Sequence, residues 1–211
     1  MAPTPARLSS VAYTVYHYFR KWGIDGTWER INRAIRERLR VRLNRDLQPS
    51  ATIVDSQSIK TTGVGGEERG YDGGKKIDGR KRHLLVDTEG FVLKAKVHSA
   101  KVMDHEGIKK FLRHADEKFP RLKHLWLDAG YRGEDKGKGW VEKALGWSVE
   151  LVERPRKPAP EKVLKAWAVE WAKEGKNVDW HKLLPPRGFQ VLPRRWVVER
   201  SLWPGCVTTE G

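Results

Sequence analysis

The stretch KRHLLVDTEGFVLKAKVHS, residues 81–99, constrains the fold more than any other part of the chain. Two β-prone apolar runs separated by little more than Glu89-Gly90 read as an antiparallel hairpin. The text that follows, MDHEGIKKFLRHADEKF, changes period: Ile108, Phe111, Leu112 and Ala115 fall on one face of a helix. Further β-prone runs stand on either side, ATIVDSQSI before the hairpin and HLWLDAG and SVELVER after the helix. The order strand, hairpin, helix, strand, helix, strand predicts an α/β fold, a mixed sheet flanked by helices. At 211 residues one main core is expected.

Upstream, residues 1–9 read as a lead-in rich in proline and small residues, followed by two helices separated near Gly23–Thr27. In the second, Trp28, Ile31, Ile35, Leu39 and Leu43 recur at spacings of three and four, which predicts a packing face. Arg30, Arg33, Arg36, Arg38, Arg40, Arg42 and Arg45 occupy the other faces, as a phosphate-tracking surface or a solvated one. Downstream, residues 155–187 combine a proline-rich linker with an amphipathic helix bearing Trp167 and Trp171, and read as an insertion. Trp140, Trp147, Trp167, Trp171 and Trp180 are expected to pack locally rather than to stack on bases.

Charge narrows the partner class. Lys plus Arg number 42 against 27 Asp plus Glu, a formal +15, which points to a polyanion and above all to nucleic acid. A single cysteine, Cys206, excludes a disulfide framework and a cysteine-rich zinc site, and makes a reducing cytoplasm the expected setting. No apolar run approaches the ~18 residues of a membrane span, and the N-terminus lacks the charged-then-apolar order of a signal peptide.

Buried strands do not carry carboxylates cheaply, yet Asp55 lies within TIVDSQSI and Asp128 ends HLWLDAG. Glu199 follows Arg195 by one turn in a final helical run. Three carboxylates from two strands and a helix can meet at one sheet edge, and such a set favours a hard cation, Mg²⁺ or Mn²⁺. Paired ions of that kind serve in-line displacement at phosphate. Asp72, Asp78, Asp87 and Asp104 read instead as turn or hairpin residues, and His83 and His105 as structural. The run GGKKIDGRKRH, just before the hairpin strand, supplies Lys75, Lys76, Arg80, Lys81 and Arg82 for contacts that position a phosphate backbone without reading its sequence. Arg194 adds a further cation beside the final acid.

The segments DSQSIKTT, GYDGGKKIDGRKRHLLVDTEGFVL, LDAGYRG and GFQVLPRRWVVER, in this order, resemble the DDE transposases of bacterial insertion sequences, of the insertion-sequence-five type. The resemblance runs from Thr14 to Ser201 and includes VYHYFRKWGIDGTWERINRAI. It implies a ribonuclease-H-like fold in which Asp55, Asp128 and Glu199 bind Mg²⁺ or Mn²⁺, with Arg195 assisting at the DNA or at the acids. It implies a protein of the cytoplasm and nucleoid that cleaves insertion-sequence ends and transfers strands, as a homo-oligomer pairing two ends, with no membrane partner. The division expected is a helical, partial DNA-binding segment over 1–48, the catalytic domain over 49–203 and an aberrant tail over 204–211. Leu192 and Cys206 stand where a related signature has Tyr and Lys, so those supporting roles are not carried over. The chain also looks clipped at both ends. A neighbouring reading frame after Leu202 can spell the usual continuation of the family, which suggests a frameshift. On that reading the triad is present but weakly supported, and a non-catalytic DNA-binding remnant or a metal-dependent nuclease are the competing functions.

Overall fold

The computed structural model describes residues 10–61, 68–153, 161–175 and 191–202. Helix α1, Ser10–Ile24, and helix α2, Thr27–Arg42, precede a six-stranded sheet. Its strands are β1, Ala51–Lys60; β2, Gly70–Asp72; β3, Ile77–Asp87; β4, Val92–Ser99; β5, His124–Asp128; and β6, Ser148–Val152. Helices α3, Asp104–Leu112, and α4, Ala115–Lys118, lead from β4 into β5, and α5, Gly137–Leu145, leads from β5 into β6. Helix α6, Glu161–Lys173, falls within the expected insertion, and α7, Pro193–Leu202, ends the described chain.

β1 is the hinge of the architecture. It pairs antiparallel with β3, Asp55 opposite Leu84, and parallel with β5, Thr52 opposite Leu125. β6 extends the parallel side, and β4 and β2 pair antiparallel with β3. The mixed sheet flanked by helices is thus the α/β architecture expected from the element order. The strand of three residues, β2, is too short to announce itself in the sequence.

Both faces of the sheet are covered, so its central strands read as continuous apolar runs rather than as alternation. On one face Val54, Leu85, Leu125 and Leu127 pack with Ile108, Phe111 and Leu112 of α3 and with Val141 of α5, forming the main core. On the other, Ile53, Leu84 and Val86 meet Val198 of α7, with Trp126, Val92 and Val197 half-buried around them. Of the apolar residues of α7, Val198 is the anchor, 1% exposed, while Trp196 faces outward.

The packing face expected on α2 is turned the other way. Trp28, Ile31, Ile35 and Leu43 are exposed, and Ile35 keeps 54% of its surface in solvent. The helix buries Arg36 and Arg40 instead. The reason is a partner that helical periodicity does not see. Arg40 forms an ion pair with the fully buried Asp87, and its Nε donates to Asp46 O at 2.7 Å. Asp87 in turn accepts the backbone N–H groups of Glu89 and Phe91 at 3.0 and 2.9 Å, which ties α2 to the β3–β4 turn. The N-terminal lead-in, the 204–211 tail and most of the linkers around α6, including Trp180, lie outside the described residues.

Candidate active site

Strand periodicity brings the first two acids together. Side chains two apart share a face, so Asp55 lies on the face of Ile53, and Asp128 on the face of Trp126. That is the face α7 covers. β1 and β5 are neighbours, and Asp128 closes β5, its Oδ1 accepting the N–H of Gly130 at 3.1 Å where the chain turns out of the sheet. Asp55, Asp128 and Arg195 line one small pocket with Ile53, Trp126, Val152 and Val198. Glu199 reaches this site from α7: Arg195 Nε donates to Glu199 Oε1 at 2.5 Å, and Arg195 Nη1 is ion-paired with Asp128 Oδ2.

Asp55 carries the electrostatic signature of the site. Burial raises its pKa from 3.8 to about 6, and the charge of Glu199 pushes the same way, against the opposing pull of the Ser56 N–H, Arg195 and Lys75. Arg195 is partly desolvated, but its bond to Glu199 and the charges of Asp128 and Asp55 outweigh that burial and keep the guanidinium protonated. Arg195 thus pairs with Asp128 and Glu199, while at Asp55 the pulls of Arg195 and Lys75 do not offset burial and the charge of Glu199. Hard oxygen donors with surplus negative charge suit Mg²⁺ or Mn²⁺ in chemical type. Among the described residues, however, no three acidic, histidine or cysteine side chains converge closely enough to hold an ion, because Arg195 occupies the position between Asp128 and Glu199.

How is so short a helix held? Val198 plugs into the sheet, and the far end of α7 is bonded to the β3–β4 turn. Arg200 Nη2 donates to Glu89 O at 3.0 Å, and Ser201 Oγ to Gly90 O at 2.9 Å. Gly90 has φ +91°, and a Cβ there would meet Ser201 Oγ at 3.1 Å and Arg200 Nη2 at 3.2 Å. Glu199 lies within the segment fixed by these contacts.

The expected basic residues divide. β3 begins at Ile77, so Arg80, Lys81 and Arg82 belong to a strand rather than to a loop before it. Alternation then separates them. Lys81 is 3% exposed, with Nζ at 3.2 Å from Asp72 and 2.8 Å from Asp104 and donating to Val102 O. Its charge is enclosed, which corrects its expected place among the phosphate contacts. Asp72 loses stability of its charged form through burial, but Ser58, the Lys75 N–H and Lys81 outweigh that and hold its carboxyl at about 2. Arg80 and Arg82 point to the opposite face, that of Asp55; Arg82 Nε donates to Gln57 at 3.0 Å. Lys75 Nζ donates to Ser56 O at 3.2 Å beside Asp55, Lys76 is exposed, and the Arg194 guanidinium lies 4.5 Å over the Trp126 ring.

A polar network under the other face escaped the sequence reading. His83 Nδ1 is 2.8 Å from His98 Nε2, and the Tyr131 hydroxyl lies 3.4 Å from His83 Nε2. Burial first, then the charge of His98, lower the His83 pKa to about 4. Asp72 accepts the Gly74 N–H in the turn after β2, as expected of a turn residue, whereas Asp104, expected in a turn or hairpin, opens α3.

A family profile described as the transposase DDE domain matches residues 46–202. The chain belongs to the DDE transposase family. The matched span of the transposase domain includes Asp55, Asp128 and Glu199. No curated protein matches the chain. Two solved structures are similar at low identity. One is the simian T-cell lymphotropic virus intasome in complex with PP2A regulatory subunit B56 gamma: 16% identity, 65% of this chain and 47% of that one, TM-score 0.34. The other is the piggyBac transposase synaptic complex with hairpin DNA: 15% identity, 56% of this chain and 26% of that one, TM-score 0.33. The transposase chain thus spans less than half the length of either. Among the described residues no helix is long and apolar enough to cross a membrane.

Proposed function

We propose that this DDE family member cleaves DNA at the ends of an insertion sequence of the insertion-sequence-five type and joins those ends to target DNA. The observation that carries the reading is the placement of Asp55 and Asp128 on one face of adjacent strands with Glu199 brought across them by α7. Asp55, Asp128 and Glu199 are the residues that would hold Mg²⁺ or Mn²⁺. The ions, when bound, supply activation of the attacking water or 3′-hydroxyl and stabilisation of the leaving oxygen.

The chain's own groups do the rest. Asp55, short of compensating charge, offers the strongest demand for a cation. Arg195 holds Asp128 and Glu199 in place beforehand and, on release, turns its guanidinium to a phosphate oxygen. Lys75 beside Asp55, Arg80 and Arg82 on the same sheet face, Arg194 over Trp126 and the exposed Lys76 supply positive charge that would fix the phosphodiester backbone. Residues 49–203 form the catalytic unit in this reading, with 155–187 inserted and 1–48 as a helical DNA-binding segment. Joining two ends in one event requires at least two copies of the chain. The protein acts on chromosomal DNA and so belongs in the cytoplasm, at the nucleoid.

A second reading, a DNA-binding form without catalysis, is favoured by the ion pairs of Arg195, which compete with metal for Asp128 and Glu199. The test uses duplex oligonucleotides carrying the element ends that flank the gene, with Mg²⁺, Mn²⁺ or chelator. Metal-dependent 3′-end nicking and strand joining, lost in Asp55→Asn and Glu199→Gln, is the expected result. Nicking that survives both substitutions overturns the site. Binding without nicking under any metal selects the non-catalytic form, and preferential cutting of an RNA·DNA hybrid selects a nuclease.

A further inference from the structure

The two aspartates sit where the sheet comes apart. The parallel ladder of β1 and β5 pairs Ala51 with His124, Thr52 with Leu125 and Ile53 with Trp126, and stops two residues short of both Asp55 and Asp128. Asp128 stays opposite Val152 of β6 and Asp55 opposite Leu84 of β3, so among the described residues no strand pairing fixes one acid against the other. Tyr131 crosses that gap on the opposite face of the sheet. It ends the one-turn 3₁₀ helix, Ala129–Tyr131, that Asp128 caps, and its side chain is buried in the main core at 2% exposure. Its hydroxyl lies 3.4 Å from His83 Nε2 on β3. His83 stands directly opposite Ser56 of β1, and the Ser56 side chain is a second hydrogen-bond partner of the phenol. The tyrosine thus reaches from the turn behind Asp128, beneath β1, to the cross-strand pair adjacent to Asp55. Each end of this strut is held. Gly137 of α5 lies so close to the ring that a Cβ there would meet Tyr131 Cδ1 at 2.8 Å and Cβ at 3.0 Å. At the far end His83 is fully buried, its ring centroid 5.6 Å from that of Phe111 and its Nδ1 2.8 Å from His98 Nε2. His98 Nδ1 is 3.1 Å from the carbonyl oxygen of Ser99, which only accepts. With one proton on each ring that carbonyl sets the order: His98 Nδ1 donates to Ser99 O, His83 Nδ1 donates to His98 Nε2, and the bare His83 Nε2 accepts from the Tyr131 hydroxyl.

We propose that Tyr131 is a positioning residue, a brace that sets the separation of Asp55 and Asp128 where β1 and β5 part. Its value for catalysis rests on the reading of these acids as metal ligands; the brace itself belongs to the metal-free fold. Mg²⁺ demands near-ideal octahedral geometry with oxygens at about 2.0–2.1 Å, so affinity falls if two strands must first be drawn together. Arg195 does not serve in its place, because its bonds go to Asp128 and Glu199 and are given up in the proposed reaction. The phenol takes no part in the chemistry, since it lies on the far side of the sheet from the acids.

Tyr131→Phe removes the hydroxyl and keeps the ring; Tyr71→Phe, at an exposed tyrosine of β2, is the control. Two quantities are measured on the full-length chain: Mn²⁺ affinity, from the paramagnetic resonance signal of the free ion, and backbone ¹⁵N relaxation of the metal-free protein. Tyr131→Phe should bind Mn²⁺ about tenfold more weakly. The order parameter of Gly130 should fall from about 0.85 towards about 0.6, with Ile53 and Leu127 unmoved and the control like wild type. A general loss of stability would not single out Gly130. Should Tyr131→Phe fail to fold, His83→Asn withdraws the acceptor from the same hydroxyl, and the same two changes are expected. Asp55→Asn separates the brace from the reading it serves. If Asp55→Asn loses Mn²⁺ while Tyr131→Phe binds it as wild type does, the brace is refuted. If Asp55→Asn binds Mn²⁺ like wild type, the acids are not its ligands; the brace then holds if Gly130 alone loosens in Tyr131→Phe and fails if it does not. Loosening spread equally over Gly130, Ile53 and Leu127 also overturns it, since the hydroxyl then supports the sheet as a whole.

Discussion

Asp55→Asn should make the metal-free protein more stable while disabling it. The aspartate is half-buried, and its pKa is raised from 3.8 to about 6 by burial and by Glu199. The folded state therefore holds the proton more tightly than the unfolded chain. The sign follows: at low pH, with Asp55 protonated in both states, nothing is lost. As pH rises from about 4 to about 6 the unfolded chain ionises first, folding loses stability, and above pH 6 the loss is constant. At about 1.4 kcal/mol per pH unit the gap corresponds to ~3 kcal/mol. Residual solvent access at Asp55 screens this to ~1–2 kcal/mol. Asparagine has nearly the same shape and no charge, so it removes the loss. For a chain of this size the gain in Tm should be roughly 3–6 °C at pH 7.5. The assay is thermal unfolding of both proteins from pH 4 to pH 8 in the presence of a chelator. The difference between the curves should open between pH 4 and pH 6 and then stay level. Mg²⁺ should raise the Tm of the wild type and leave Asp55→Asn unmoved. A variant no more stable than wild type at pH 7.5, or a difference that persists unchanged at pH 4, refutes the account of Asp55 as an uncompensated carboxylate.

Three other perturbations probe the frame around the site. Arg40→Met leaves Asp87 buried without its ion pair and should cost ~3–5 kcal/mol by denaturant unfolding, whereas the double change Arg40→Met with Asp87→Leu should recover part of that loss; a cost below ~1 kcal/mol for the single variant contradicts the burial of the pair. His83, held neutral with a pKa near 4, contributes stability that is full above its unfolded value of 6.5 and drains away as pH falls from 6.5 towards 4. The decline in Tm across that window should be shallower in His83→Asn, and equal slopes exclude His83 as the cause. Gly90→Ala forces a left-handed φ on a residue with a Cβ and crowds Ser201 and Arg200. It should cost ~1–2 kcal/mol and speed amide exchange in Val197–Arg200 more than in β1; uniform acceleration across both would show that α7 is not docked through this turn.

The sheet was legible because its strands advertise themselves locally. Ile53–Val54, Leu84–Val86 and Leu125–Leu127 are apolar runs bounded by turns, and the Glu89-Gly90 turn sets its own hairpin. Asp55 and Asp128 stood out for the same reason, as charges inside such runs. What stayed hidden depends on contacts between distant segments. The outward face of α2 could not be read from its period, because a helical stripe has no sign: Arg36 and Arg40 turn inward only because Val92 O and Asp87 are there to receive them. Lys81 looked like its neighbours Arg80 and Arg82 until strand alternation placed it against Asp72 and Asp104. Within Trp196-Val197-Val198, composition does not say which residue the sheet will bury. The ion pair of Arg195 with Asp128 joins residues 67 positions apart, while its partner Glu199, one turn away, was already visible in the helical spacing.

The β3–β4 turn connects these findings into one mechanical arrangement. From one side α2 grips it through Arg40 on Asp87, and Arg45, just past the end of the helix, pairs with Glu89 at 3.0 Å. From the other, Arg200 and Ser201 of α7 bond to the carbonyl oxygens of Glu89 and Gly90. Asp87 binds the turn's own N–H groups, so its buried charge fixes the loop conformation that presents those carbonyls. The helix that carries Glu199 is thereby referenced to α2 through a few residues of backbone. For the role proposed for it, Glu199 needs placement to within about half an ångström, and a ten-residue helix cannot supply that alone. Val198 fixes its depth on the sheet and the turn fixes its far end, so the position of Glu199 is set at two points one turn apart.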